Sequence, residues 1–384
     1  MKKTLLIIGS YGASNIGDEA ILEVMIKNLS KDWNLGVLSG NVDDTCLRHG
    51  KSLGFCHSRE GGNPTSSKVV NNHKLERSFD KLRMTNGDLA IAPHFPFGFK
   101  SLLSFSWLKS YKLLFKSDLV LLGGGGLFTD DYTIRAPMLW AWHIFWCRVF
   151  QKPVVLFANS VGPLKTSLGR KFAKLALNEC EKIIVRDEIS VNNVKKLLPE
   201  KEVIFGTDIV FSYNNIHKSI IRDDLCHSRE GGNPSSKNSH KKTLALNLRD
   251  WNMSFHLFPQ FIELYIKNGY KVLLLPMEKD DERVLGDVYK KIKNSSSVMM
   301  VVPQNYRELI SILTTCEKAI GMRLHFLIAA AISGCMLSGI SYSSKVQGIL
   351  EQVKIPYVLP KDISENTLKK LFADAKKAEN LDKQ

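Results

Sequence analysis

The stretch Gly321-Met322-Arg323-Leu324-His325 leads into the apolar run Phe326–Ile332. The run predicts a buried helix, which we expect to begin at residues 319–320. A guanidinium and an imidazole at the mouth of a buried helix need partners, because unpaired buried polar groups are costly. An anionic ligand would suit them, since the N-terminus of a helix favours negative charge. The alternative is that Arg323 pairs with a nearby carboxylate and His325 caps the helix.

Strands and helices alternate on both sides of this stretch. The first apolar strand is predicted at Thr4–Ile8, and the pattern restarts at Thr243–Leu248 after a polar region. Alternation with short connections indicates parallel sheets with helices on both faces. We therefore expect an α/β protein with two Rossmann-like, doubly wound domains, residues 1–212 and 243–384, which face a central cleft. Residues 213–242 would form the linker between them.

Composition narrows the class of protein. The 384 residues are 44% hydrophobic and 24% charged, with a formal net charge of +15. This balance is typical of a soluble protein with an anionic partner, but the basic residues are scattered and no nucleic-acid-binding motif is present. Seven single cysteines without a CxxC pair favour a reduced cytosolic setting and give no metal cluster. The run Met1–Ile8 is too short for a signal peptide, and no apolar run would span a membrane.

One nine-residue segment, Cys56–Pro64, recurs unchanged as Cys226–Pro234. Both copies open polar stretches, residues 56–88 and 226–242, that lack any strand or helix period. We interpret these stretches as insertions in surface loops, which accept extra length at small entropic cost. The alternative is a metal or ligand loop that uses Cys56 and His57.

Two glycine-containing turns follow predicted strands. The first, Gly9–Glu19, matches neither the dinucleotide fingerprint nor the P-loop. Within it Asp18 either favours the first turn of a helix or points into the cleft to orient or deprotonate a hydroxyl. The second turn, Gly123–Gly126, directly follows the apolar strand Leu119–Leu122, where a ligand can lie against bare backbone.

Two basic residues also follow predicted strands. Arg186 comes after the strand Lys182–Val185 and either faces the cleft or forms a salt bridge with a neighbouring acid. Lys345 lies twenty residues beyond His325, with one helix and one strand between them, so it can return to the same end of the sheet.

The chain resembles the polysaccharide pyruvyl transferase family of bacterial cell-wall synthesis. The resemblance covers most of the chain outside the two insertions. It rests on Asn15–Ala20, Gly123–Gly126, Ser160–Pro163, Val185–Ser190, Gly206–Phe211, Gly321–His325, and Gly339–Tyr342 with Lys345. The chain departs from the family pattern at Gly126 and Thr129, where serine and glutamine are more usual, and at Met277, where a polar residue is common.

The resemblance implies a two-domain GT-B-like fold and a reaction. The family transfers the pyruvyl group of phosphoenolpyruvate onto two sugar hydroxyls, which gives a pyruvate ketal and phosphate without a metal or cofactor. Such a donor carries a phosphate and a carboxylate, which suit cationic side chains. The residues carried over are Arg186, Arg323 and Lys345 for the donor, His325 as general acid, Asp18 for the sugar hydroxyl, and Asn15, Gly17, Gly124 and Gly125 for further substrate contacts.

The resemblance also implies where the protein works. The acceptor in this family is usually a glycan on a lipid carrier, so we expect a cytoplasmic protein that contacts the inner face of the membrane peripherally. The aromatic and basic segment Phe95–Phe115 could provide that contact. The alternative is an ordinary helix that faces the core and has solvated lysines.

The sequence leaves three alternatives open. A nucleotide-sugar-dependent glycosyltransferase of the same fold would share the glycine-rich loops and the basic donor site. A non-catalytic scaffold could bind an anionic polymer at a membrane, but it would not need a histidine beside Arg323. Finally, the two insertions could have made this copy inactive.

Overall fold

A computed structural model describes residues 2–13, 15–49, 89–98, 101, 103, 105–131, 133–213, 242–293 and 295–379. The two predicted insertions, residues 56–88 and 226–242, lie outside the described residues except for Lys242. The possible ligands Cys56 and His57 are therefore also outside them, as are Phe99 and Lys100 of the aromatic and basic segment.

The N-terminal domain is built on a seven-stranded parallel sheet. Its strands are β1 (Thr4–Ile8), β2 (Asn34–Ser39), β3 (Leu89–Pro93), β4 (Leu119–Gly123), β5 (Val154–Asn159), β6 (Lys182–Val185) and β7 (Ile204–Phe205). The order across the sheet is β3-β2-β1-β4-β5-β6-β7. The order reverses between β1 and β4, so a crevice opens beyond the carboxyl ends of these two strands.

Helices cover both faces of this sheet. They are α1 (Ile16–Leu29), α2 (Val42–His49), α3 (Leu108–Lys116), α4 (Arg135–Val149), α5 (Ser167–Glu179) and α6 (Glu188–Leu197). Side chains of α3 to α6 pack in one apolar cluster, and those of α1 pack in another on the opposite face. The helix α1 begins at the carboxyl end of β1, at the edge of the crevice.

The C-terminal domain repeats this arrangement with six parallel strands. Its elements are β8 (Thr243–Asn247), α7 (Leu257–Lys267), β9 (Lys271–Leu274), α8 (Lys279–Tyr289), β10 (Val298–Met300), α9 (Tyr306–Leu313), β11 (Lys318–Gly321), α10 (Leu324–Ile332), β12 (Met336–Ile340), α11 (Ser344–Gln352), β13 (Tyr357–Val358) and α12 (Glu365–Ala373). The strand order is β10-β9-β8-β11-β12-β13. The predicted fold class, two doubly wound α/β domains, is confirmed.

One predicted element is wrong in a way that matters for the site. Residues 319–320 do not begin a helix; they belong to β11, which pairs in parallel with β8 and β12. The helix α10 begins only at Leu324, and Arg323 is its N-cap. A short apolar segment buried on both faces carries no helical or strand period, so the sequence did not distinguish the two. The correction places Arg323 and His325 immediately after the carboxyl end of a central strand.

A shared apolar cluster holds the two domains together. It includes Ile21 and Met25 of α1 together with Leu324 and Leu327 of α10. Nearby polar contacts also cross between the domains, and Arg307 Nη2 lies 3.2 Å from Glu23 Oε1. This packing sets the carboxyl ends of the two sheets opposite each other across one cavity.

Candidate active site between the two domains

The cavity between the domains has a volume of about 470 Å³. It lies at the carboxyl ends of strands from both sheets, where open α/β folds bind their ligands. Seven acidic or basic residues line it: Asp18, Arg186, Arg249, Glu278, Arg323, His325 and Lys345. The charges come from both domains, so the cavity exists only in the assembled chain.

Asp18 is held at the cavity by the cap of α1. The Asn15 side-chain oxygen accepts hydrogen bonds from the backbone N–H groups of Gly17, at 2.9 Å, and of Asp18, at 3.3 Å. Burial, with a smaller contribution from Glu278, raises the pKa of Asp18 to about 6, although His325, Arg186 and Lys345 oppose the rise. A carboxyl group that titrates near neutral pH suits proton transfer.

The Asn15 side chain also connects the two domains. Its amide nitrogen donates a hydrogen bond of 2.6 Å to Glu278 Oε1 in the loop after β9. The predicted substrate contact at Asn15 therefore coincides with a cap and an inter-domain hydrogen bond.

The glycines of the two turns differ in what a side chain at each position would contact. A Cβ atom at Gly17 would overlap the His325 imidazole, so the absence of a side chain there lets the ring reach across the domain boundary. A Cβ atom at Gly125 would lie 3.2 Å from Asp18 Oδ1, and one at Gly126 would lie 3.2 Å from Lys345 Nζ. Gly125 and Gly126 line the cavity. Gly124 packs instead against the side chain of Ile21, so its place is behind the wall.

Arg186 is fixed inside the N-terminal wall and is only 2% exposed. Its Nε donates to Ser160 Oγ at 2.8 Å, and Nη1 donates to Asp208 Oδ2 at 2.5 Å. Burial would raise the pKa of Asp208, but the Arg186 guanidinium and His325 hold it well below its usual range. The neighbouring Asp187 caps α6 through Ser190 and does not pair with Arg186. Arg186 thus does form a salt bridge, but with a carboxylate distant in sequence.

His325 lies between the two walls. Its Nε2 is 3.6 Å from Asp208 Oδ2, which is too long for a hydrogen bond. This buried nitrogen has no hydrogen-bond partner within the described ranges. The backbone oxygen of His325 accepts a hydrogen bond of 2.9 Å from the Tyr306 hydroxyl. The ring therefore packs against Gly17 and lies close to Asp208, and its buried Nε2 makes no hydrogen bond to a described residue.

Arg323 is held by two carboxylates of its own domain. Its Nη2 is 2.6 Å from Asp281 Oδ1 and 2.7 Å from Glu278 Oε2, and Nε also bonds to Asp281. Burial opposes its charge, but Asp281 and Glu278 raise the pKa of Arg323 above its ordinary value. The alternative considered from sequence, a pairing with a protein carboxylate, is therefore the observed arrangement. The side chain still lines the cavity and is 13% exposed.

Lys345 is a cation of the C-terminal wall. It lies in the first turn of α11, lines the cavity, and forms no ion pair with any residue that the structure describes. The positive charge of Lys345 acts on the nearby Asp18 carboxyl, and an anionic ligand could approach this ammonium group without breaking an ion pair to a described residue.

Sequence reasoning missed Arg249 and Glu278. Both follow strands of the C-terminal sheet, β8 and β9, and both line the cavity. The Arg249 guanidinium lies 4.4 Å from the centre of the Tyr342 ring. The signal that could have identified them is the one used for Arg186, a charged residue just beyond a buried parallel strand.

The three residues that depart from the family pattern lie at different places in the structure. Gly126 and Met277 line the cavity, so they affect its shape directly. The Thr129 hydroxyl donates a hydrogen bond of 3.3 Å to the carbonyl oxygen of Pro163. Within the described residues, no cluster of three or more histidine, cysteine or acidic side chains could hold a metal ion. Among the helices described, none is both long and apolar enough to cross a membrane.

Comparison with known proteins identifies a matching protein family. A family model described as polysaccharide pyruvyl transferase matches residues 15–344. The amylovoran biosynthesis protein AmsJ of Erwinia amylovora is 25% identical over 281 residues, which are 67% of this chain and 65% of AmsJ. The matched region thus spans slightly less than two thirds of that curated relative.

Solved structures share the fold at low sequence identity. HepE of Anabaena, in complex with UDP and glucose, aligns with a TM-score of 0.55 and 12% identity over 96% of this chain and 89% of HepE. The UDP-GlcNAc 2-epimerase of Neisseria meningitidis, bound to UDP-GlcNAc, aligns with a TM-score of 0.58 and 14% identity over 99% and 95%. The likeness supports the two-domain GT-B-like architecture and nothing about the ligand.

Proposed function

We propose that this chain, which belongs to the polysaccharide pyruvyl transferase family, transfers the pyruvyl group of phosphoenolpyruvate onto two hydroxyls of a sugar. The sugar would belong to a cell-surface polysaccharide or its lipid-linked precursor. The products would be a cyclic pyruvate ketal and inorganic phosphate. We propose no metal and no cofactor, and we place the reaction in the cytoplasm at the inner face of the membrane.

The reaction consists of two additions of a sugar hydroxyl to C2 of phosphoenolpyruvate and the loss of one phosphate group. A general acid protonates the methylene carbon of phosphoenolpyruvate, and a sugar hydroxyl bonds to C2 as it loses its proton to a general base. Phosphate then leaves with both electrons of its C–O bond, and the second hydroxyl bonds to the resulting oxocarbenium carbon. The two sugar hydroxyls lose two protons in total. One proton is gained by the methylene carbon, which becomes a methyl group, and the other goes to phosphate or solvent.

The observation that carries the proposal is the meeting of four basic side chains with His325 and Asp18 in one inter-domain cavity. Lys345, Arg249 and the exposed part of Arg323 would bind the phosphate and carboxylate of the donor. Arg186 also lines the cavity and, although it is almost fully buried, adds positive potential there. A small ligand that carries both a phosphate and a carboxylate would suit these cations.

His325 and Asp18 would divide the proton transfers. An imidazolium can act as a general acid, so we assign the protonation of the methylene carbon to His325. Asp18, whose pKa is raised to about 6, would be mainly ionised at neutral pH and could accept the hydroxyl proton. The acceptor would then lie against the N-terminal wall, beside Gly125 and Gly126.

Phosphate release tests the proposal directly. The purified protein would be incubated with phosphoenolpyruvate and candidate glycans, with phosphate followed over time and the ketal identified by mass spectrometry. We expect phosphate release that depends on the acceptor. Nucleotide release from a nucleotide sugar, without phosphate release from phosphoenolpyruvate, would instead support the alternative glycosyltransferase.

A further inference from the structure

The outer face of the N-terminal domain exposes large apolar side chains on neighbouring helices. Five of them, together with Phe97 in the loop after β3, define what we call the aromatic–basic surface, and each is between 38% and 70% exposed: Phe97, Leu108, Phe115, Phe145, Val149 and Leu175. Such a concentration is unusual for a surface exposed only to water. It extends well beyond the segment Phe95–Phe115 singled out in the sequence, in which Phe95 itself is buried.

Ring contacts make this surface continuous. The Trp142 ring stacks on Phe145 at 5.5 Å, and Tyr111 of α3 meets Trp146 of α4 edge to face at 4.7 Å. Between α4 and α5 lies an apolar groove of about 430 Å³, lined in part by Phe97, Phe145 and Leu175. Ring contacts thus join α3 to α4, and the apolar groove joins α4 to α5.

The charge on these helices is strongly one-sided. The three helices α3, α4 and α5 contain one acidic residue, Glu179, and it is paired with Arg148. They contain eight basic residues, namely Lys109, Lys112, Lys116, Arg135, Arg148, Arg170, Lys171 and Lys174. Helix α8 of the other domain contains four acidic residues, so the asymmetry is not a property of the whole chain.

We infer that the aromatic–basic surface docks on a bilayer of anionic phospholipids. Apolar side chains would enter the interfacial region, while the surrounding lysines and arginines would contact the lipid phosphates. A second copy of the chain is a poorer partner, because two strongly basic surfaces would then face each other.

This docking would also bring the cavity close to the membrane. Ala136, Leu139 and Trp140, in the first half of α4, line the cavity, while Trp142 and Phe145 of the same helix line the groove. One rigid helix thus connects the membrane contact to the site. That this helps a lipid-linked acceptor to enter depends on the proposed function, but the docking itself does not.

Vesicle co-sedimentation of the full chain tests the docking. The vesicles would be phosphatidylcholine alone or phosphatidylcholine mixed with phosphatidylglycerol. We expect binding only to the mixed vesicles, with binding weakened by salt. The double variant Phe145→Glu/Leu175→Glu should lose at least tenfold in partitioning. Met299→Glu is its matched control, since Met299 is an exposed apolar residue of the other domain, at 60% exposure.

A charge-reversal pair provides a second variant that leaves the apolar contacts intact. Lys171→Glu/Lys174→Glu should weaken binding at least about fivefold for each residue changed, whereas Lys267→Glu on α7 should have no effect. The docking is wrong if the wild-type chain remains unbound with the mixed vesicles. It is also wrong if the Phe145/Leu175 variant binds vesicles as tightly as Met299→Glu does. A wild-type chain that forms dimers but does not bind vesicles, and a Phe145/Leu175 variant that no longer forms dimers, would likewise contradict it.

Activity measured in parallel separates this inference from the proposed function. With a water-soluble acceptor, the surface variants should release phosphate from phosphoenolpyruvate at the wild-type rate. If no acceptor supports phosphate release but vesicle binding follows the expected pattern, the proposed reaction fails and the docking stands. If phosphate is released but vesicles are not bound, the reverse holds.

Discussion

The two walls of the cavity hold their charges differently. On the N-terminal wall, Arg186 is 2% exposed and donates hydrogen bonds to Ser160 and Asp208, so the protein itself holds the guanidinium in place. On the C-terminal wall, Lys345 has no ion-pair partner in the described residues, and Arg323 remains 13% exposed. We conclude that the C-terminal wall is better suited to receive a mobile anion.

The N-terminal wall supplies shape and a titrating group instead. Glycines bring the backbone close to the cavity, and Asp18 has a pKa raised to about 6. His325 belongs to the C-terminal domain but rests against Gly17 of the N-terminal domain. The comparison therefore separates anion binding from proton transfer, and four substitutions test that separation.

The largest effect is expected for His325→Ala. Removal of a general acid should lower kcat by about 10²- to 10⁴-fold and leave the melting temperature nearly unchanged. Phosphate release measures the first quantity and thermal unfolding the second. His256→Ala, an exposed histidine of the same domain, is the control. Near-normal turnover of His325→Ala would remove the imidazole from the mechanism.

Asp18→Asn should lower kcat by about 10²- to 10³-fold and yet stabilise the protein. The folded-state pKa of Asp18 lies above its unfolded value of about 3.9, so its ionisation opposes folding. The penalty is absent below pH 4, grows as the pH rises, and is complete above about pH 6. Thermal unfolding at pH 7 should therefore give a variant more stable by on the order of 2 kcal/mol.

The same substitution should change the pH profile. In the wild type, kcat/KM should rise as the pH passes through about 6, because Asp18 must be ionised to act as a base. The residual activity of Asp18→Asn should lack this limb. A wild-type profile flat between pH 5 and pH 7 would argue against the role of base.

Lys345→Ala should act on binding more than on turnover. Loss of a charge-assisted contact to the donor should raise KM for phosphoenolpyruvate roughly 10- to 100-fold, with a smaller change in kcat. Lys354→Ala is the matched control, because Lys354 pairs with Glu379 on the surface of the same domain. An unchanged KM would show that the donor anion binds elsewhere.

The smallest effect is expected for Glu278→Gln. Glu278 neutralises part of Arg323 and accepts a hydrogen bond from Asn15. Removal of its charge should make the C-terminal wall more positive and lower KM for phosphoenolpyruvate by a few fold. Asp280→Asn, which changes an exposed acid in the first turn of the adjoining helix α8, should leave KM unchanged. A raised KM would mean that Glu278 itself contacts the substrates.

Much of the fold was predictable because strands and helices alternate in buried and half-buried patterns. The start of β1 and the restart at β8 were predicted to the residue. The helix that contains His325, α10, was predicted to begin too early, at residues 319–320. The apolar residues of β11 continue into those of α10 without a change of pattern. Two edge strands were missed: β13 has only two residues, and β3 directly follows the polar stretch 56–88.

The sequence by itself determined the fold class, the family, and the positions beyond strand ends where charged residues accumulate. These properties depend on local patterns and on motifs within a few residues of each other. Only the tertiary structure decided which charges neutralise each other. Asp208 reaches Arg186, and Asp281 reaches Arg323, across separations in sequence that no local pattern encodes. It also decided that Lys345 stays available, because burial and pairing are properties of the packed chain.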